Sequence, residues 1–167
     1  MRHITYLLGA ALIGAAFAAP AAAQDPKPFP GTGGEVFLYV DLVNGTARPP
    51  AKARPKSCTQ LSAFKRAERV VFRVWGAEAE TGAPLTTENV KYAYVKIPGQ
   101  PNIKLNWGPH GSGTGRSLFW TAGWTVPLDY PLGVVAFRVV FKTESDVFGI
   151  FTQDGLPQES RLTILPQ

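Results

Sequence analysis

The chain has 167 residues with 17 Lys and Arg against 12 Asp and Glu, a formal net charge of +5. That length fits one domain with enough chain to bury a core, and the mild basicity is far below a nucleic-acid binder's charge density, so no nucleic-acid partner is expected. One cysteine excludes an internal disulfide, and the two histidines and one methionine are too few for a blue-copper site or a zinc hydrolase.

Residues 1–23 read as a cleaved signal peptide. Arg2 and His3 make a short polar start, an apolar run follows over 4–19, and Ala21-Ala22-Ala23 supplies an A-x-A cleavage site. The run is too short to span a bilayer, so the expected product is periplasmic or secreted, with no integral membrane segment. Residues 24–34 carry Pro26, Pro28, Pro30, Gly31, Gly33 and Gly34 and read as a flexible arm. Residues 35–167 remain for a single β-sandwich domain.

Within that domain, 35–43 alternates Val36, Leu38, Val40 and Leu42 with Phe37, Tyr39, Asp41 and Val43, the period of a strand. Residues 44–57 hold three prolines and four cations without an acid, and read as a solvated connector or an arm that docks an anion or partner. Its Asn44-Gly45-Thr46 start matches a glycosylation pattern and reads as an exposed turn. Residues 59–69 suggest a short helical turn with Leu61 and Phe64 on one side. From Val70 onward the alternation has period two almost throughout: Val70, Phe72 and Val74; Ala93, Val95 and Ile97; Trp120, Ala122 and Trp124. Residues 134–142 read as one further strand of this kind. Turn formers separate these runs, so the fold class is all-β, an antiparallel sandwich of about seven to eight strands.

The stretch Trp120-x-x-x-Trp124-x-Val126-Pro127-x-Asp129-Tyr130-Pro131-x-Gly133, leading into Val135-x-Phe137-x-Val139-x-Phe141, resembles the E-to-F corner of immunoglobulin-like and fibronectin III-like domains of exported bacterial proteins. The resemblance implies an immunoglobulin-like sandwich and a corner tyrosine at Tyr130 whose hydroxyl ties the turn to nearby backbone. It implies no activity, and the paired cysteines of antibody domains are missing.

Chemistry-bearing residues are few. After cleavage His110 is the sole histidine, no methionine remains, and no C-x-x-C-H haem motif occurs. Cys58 is open between a buried small hydrophobe, a mixed or partner disulfide and a metal-type ligand; paired with His110 it would make a nucleophile and base, although nothing in the sequence joins them. Glu78 and Glu80 share a strand face but read as the solvated end of a strand. The glycine-rich 108–115 segment reads as a mobile hairpin loop. Trp107, His110, Arg116 and Phe119, in and beside it, are the candidate binding residues, since sandwich-end loops and aromatic–arginine pairs suit partner recognition. The expectation is a non-catalytic accessory module that binds a protein partner, with no cofactor and no metal. The alternatives are a redox or cofactor accessory using Cys58 or His110 as a single ligand, and a thiol-dependent enzyme.

Overall fold

A computed structural model describes residues 36–46, 58–111 and 114–167. The expected signal peptide and Pro/Gly arm, and most of the basic connector, lie outside the described residues. Eleven strands occur among those described: β1 (Val36–Asn44), β2 (Ala63–Lys65), β3 (Arg69–Glu78), β4 (Val90–Lys96), β5 (Ile103–Lys104), β6 (Asn106–His110), β7 (Ser117–Thr125), β8 (Gly133–Val134), β9 (Arg138–Thr143), β10 (Phe148–Thr152) and β11 (Thr163–Leu165). They form one four-stranded sheet in the order β1-β3-β7-β6, a second in the order β10-β9-β4-β5, and a small β2-β11-β8 sheet. Every pairing is antiparallel except that of β2 with β11.

Alternation decides which side chains meet between the two larger sheets. Val70, Phe72 and Val74 from β3, Trp120, Ala122 and Trp124 from β7, and Ala93, Val95, Val139 and Phe141 from the opposing sheet are all buried in one cluster. Aromatic rings lock across the gap edge to face: Trp120 with Phe141 at 5.3 Å, Phe72 with Phe137 at 4.9 Å, and Trp124 with Tyr130 at 4.9 Å. Such pairs contribute on the order of 1 kcal/mol beyond the area they bury. Along one side the sheets approach so closely that a Cβ on Gly149 of β10 would lie 2.5 Å from Val36 Cγ1 of β1, which demands a glycine.

Buried polar groups are mostly satisfied by side chains that cross between elements. Gln153 donates from Nε2 to the Val135 carbonyl at 2.6 Å and accepts at Oε1 from the Leu162 N–H at 2.7 Å, pinning β11 to the segment after β8. Trp120 Nε1 donates to the Leu85 carbonyl at 2.8 Å. Tyr130 Oη donates to the Pro98 carbonyl at 3.0 Å, so the tyrosine ties its turn to the β4–β5 turn across the molecule and not to neighbouring backbone.

Three local expectations are corrected. Residues 59–69 form no helical turn: Ala63–Lys65 is a strand, because Phe64 is fully buried and its neighbours pair with β11. Asn44 is not in an exposed turn but ends β1, 4% exposed. Residues 134–142 do not make one strand; β8 pairs with β11 and β9 with β4, so the chain crosses from one sheet to another between them.

Candidate binding cleft

On β3 the residues between the core positions are Arg69, Val71, Arg73 and Trp75, and on β1 they include Tyr39, Asp41 and Val43. Alternation turns these away from the core, onto the outer face of the β1-β3-β7-β6 sheet. The register sets Asp41 beside Arg73 and Arg73 beside Thr121, while Val43, Val71 and Gly123 form the next row. An open cleft of about 700 Å³ lies over these rows.

An aromatic row runs along the same sheet face and reaches the cleft at Phe119 and His110. Tyr39 meets Trp75 at 5.6 Å, Trp75 meets Phe119 at 4.7 Å, and the His110 imidazole stacks on Phe119 at 4.3 Å and 21°. The Arg73 guanidinium lies over this row, 5.7 Å from the Trp75 ring and 6.0 Å from Phe119. Its Nε donates to Asp41 Oδ1 at 2.7 Å and its Nη2 to Asp41 Oδ2, a bidentate pair in which the carboxylate is buried. That hydrogen-bonded pairing raises the arginine's pKa still further above its ordinary value, against the opposing effect of burial.

Next to the pair, burial and then the Arg73 charge push the His110 imidazole below its ordinary pKa. A neutral imidazole donates from one nitrogen and accepts at the other, and Nε2 lies 3.4 Å from the Thr121 hydroxyl. The cleft floor is apolar at Val43 and Val71 and flat at Gly123, where a Cβ would lie 2.2 Å from Arg69 Nη2. Absence of a side chain there lets the Arg69 guanidinium lie down across the sheet.

Cys58 forms part of the cleft lining and is exposed. The expectation of a buried small hydrophobe is therefore corrected. Its backbone has φ 61°, a left-handed conformation that needs outside support in a non-glycine residue. Asn44 supplies it: its carbonyl accepts the Cys58 N–H at 2.8 Å and its Oδ1 accepts the Thr59 N–H at 2.6 Å. The thiol is thus held at the lip by a buried clamp.

Of the residues singled out in the sequence, His110, Phe119 and Cys58 come together here. Trp107 does not: alternation turns it inward, where it packs on the core 5.5 Å from Trp120. Arg116 is exposed beyond β6 and takes no part in lining the cleft. Gly108 and His110 lie in β6 and not in a hairpin loop, His110 paired with Ser117, so a strand holds the imidazole over Phe119. Glu78 accepts from the Thr81 hydroxyl at 3.0 Å in the turn that follows β3. Sequence reasoning missed Asp41, Arg69, Arg73, Thr121 and Gly123. The available signal was charge at outward positions of strands whose other residues are apolar, since such a charge is either solvated or paired. Among the described residues, no three His, Cys, Asp or Glu side chains gather as a metal site, and no helix is long and apolar enough to cross a membrane. In comparison with known proteins, no family model matches the chain and no curated protein matches it.

Proposed function

We propose that this chain is an exported, immunoglobulin-like accessory module that binds a protein partner, and that the cleft on the β1-β3-β7-β6 sheet receives a side chain or terminus of that partner. The observation that carries the reading is the cleft's composition: an apolar floor beside two arginines, a neutral imidazole and the Thr121 hydroxyl, open to solvent. Such a mixture of apolar surface and a few fixed polar groups suits recognition of a partner side chain.

The strand order supports the immunoglobulin-like part of the reading. Taking β1, β3, β4, β5, β6, β7, β9 and β10 as strands A, B, C, C′, D, E, F and G, the two large sheets run A-B-E-D and G-F-C-C′. Export, with a periplasmic or secreted destination, rests on the leader over 1–23.

Cys58 offers a test, being the chain's single thiol at the cleft lip. A photo-crosslinker attached there should couple the protein to one partner in the native exported fraction. His110→Ala and Thr121→Val should cut the yield at least fivefold while the circular dichroism spectrum is unchanged. Yield indifferent to both substitutions would refute the cleft as the binding site.

One observation favours a second reading, a redox or cofactor accessory that uses the thiol: Cys58 shares the cleft lining with His110 and Arg73. It predicts that protein isolated without reductant carries an adduct on Cys58, visible by intact mass and removed by dithiothreitol. An unmodified thiol in that preparation counts against it.

A further inference from the structure

The opposite sheet presents a face with no role so far. On β4, β9 and β10, the positions between the core residues are Tyr92, Tyr94 and Lys96; Arg138, Val140 and Lys142; and Phe148 and Ile150. Register aligns them into three rows. The first runs Tyr92, Lys142, Phe148; the second Lys104, Tyr94, Val140, Ile150; the third Lys96, Arg138, Thr152.

The apolar members are well exposed for their kind. Phe148 is 48% exposed, Ile150 47% and Tyr92 41%, and together with Tyr94 they make a continuous strip across three strands. Exposed apolar side chains occurring singly need no explanation, whereas a contiguous strip across a sheet face marks an interaction surface. Tyr92 and Tyr94 rings stack at 5.9 Å, and the Lys142 ammonium sits 5.2 Å from the Phe148 ring centre.

Charge identifies the occupant. Lys142 has its carboxylate, Asp146 at 2.5 Å, which also meets Lys91 at 3.6 Å. Lys96, Lys104 and Arg138 are exposed and have no acid in their rows. The three rows therefore surround an apolar strip with cations and carry no carboxylate of their own. Two copies facing each other through this surface would oppose cation to cation, which disfavours self-association.

We propose that the outer face of the β10-β9-β4-β5 sheet is a second docking surface, independent of the cleft, and that it takes an acidic segment of a partner protein bearing aromatic or aliphatic side chains. Carboxylates of the segment pair with Lys96, Arg138 and Lys104 while its apolar groups cover Tyr94 and Ile150. The rim charges set the association rate and its salt dependence, and the covered strip slows dissociation.

The probe is a soluble random copolymer of Glu and Tyr, compared with poly-Glu, phosphatidylglycerol vesicles and oligo-dT, each titrated into the isotopically labelled protein. The copolymer should shift backbone amides of β4, β9 and β10 and bind at least tenfold more tightly than each comparator. Lys96→Glu/Arg138→Glu should weaken it at least tenfold, whereas His110→Ala should leave it unchanged. Should the double variant lose its fold, Lys104→Glu, on a two-residue edge strand, replaces it, with at least a threefold loss expected. Equal binding of poly-Glu, tighter binding of vesicles or oligo-dT, shifts mapping to the cleft sheet, or indifference to the charge reversals would each overturn the proposal. Because the two surfaces lie on opposite sheets, His110→Ala and Lys96→Glu/Arg138→Glu report on them separately.

Discussion

The outer faces of the two large sheets obey the same alternation and differ in almost everything else. On β1-β3-β7-β6, Asp41 is 7% exposed and holds Arg73 bidentately, Gly123 makes room for Arg69, and an imidazole is stacked on Phe119. On β10-β9-β4-β5, lysines and an arginine stand in solvent around exposed rings, and the acid within reach of the face, Asp146, lies at its end. The lesson is about the surroundings of a charge. Removed from water, a carboxylate must be paired and hydrogen-bonded, and its loss strands its partner; in water the same pairing is worth little.

The largest effect should come from breaking the buried pair. Asp41→Ala removes the buried carboxylate and leaves the Arg73 guanidinium, partly exposed in the cleft, without its bidentate partner, and chemical denaturation should register a loss of about 2 kcal/mol. A loss below a third of that would mean that water reaches the pair freely, and the contrast between the faces would fade.

Gly123→Ala should act on the cleft more than on stability. The added methyl displaces the flexible end of Arg69, so the denaturation midpoint should move by no more than about 1 kcal/mol in equivalent stability. Crosslinking through Cys58 should nevertheless fall severalfold, because the guanidinium no longer lies across the floor. Unchanged crosslinking would remove Arg69 from the site.

A smaller effect concerns pH. Burial and the Arg73 charge disfavour the imidazolium, so His110 should titrate by NMR below the ordinary imidazole value of about 6.5. Since the folded chain then binds this proton less readily than the unfolded one, stability declines as pH falls through about 6.5 and is unaffected by His110 above it. His110→Phe should flatten that part of the stability profile. An ordinary pKa would remove this dependence and a raised one would reverse its sign, and either would contradict the placement of the ring.

The smallest effect is expected at the solvated face. Lys142 lowers the Asp146 pKa through a hydrogen bond and its charge, but the carboxylate stands in water. Asp146→Asn should leave the thermal midpoint within measurement error in 0.15 M salt, where exposed charges are screened. A clear drop would show that exposure does not separate the two faces.

Much of this architecture was legible in the order of residues. Period-two alternation over Val36–Asn44, Arg69–Glu78 and Ser117–Thr125 assigns strands and core faces because each side chain's direction follows from its own backbone. The same local rule was too coarse for Ala63–Lys65 and Gly133–Val134, whose two or three residues form strands through partners far along the chain. It also failed at Gly108–His110, where glycine and proline read as loop, yet pairing with Ser117–Phe119 imposes a strand.

Function-bearing arrangements depended still more on tertiary structure. Composition showed that few groups for chemistry exist, and local clustering singled out Trp107, His110, Arg116 and Phe119 beside the lone Cys58, of which Cys58, His110 and Phe119 line the cleft. That those three share one cleft with Arg73 follows from strand order, which brings β1, β3, β7 and β6 side by side from four separate stretches of sequence. Trp107 shows the converse, an aromatic at a promising position turned inward by its register against Trp120. Periodicity is a property of a few neighbouring residues and can be read from them, whereas a site is a distance between residues remote in sequence and exists only once the sheets have paired.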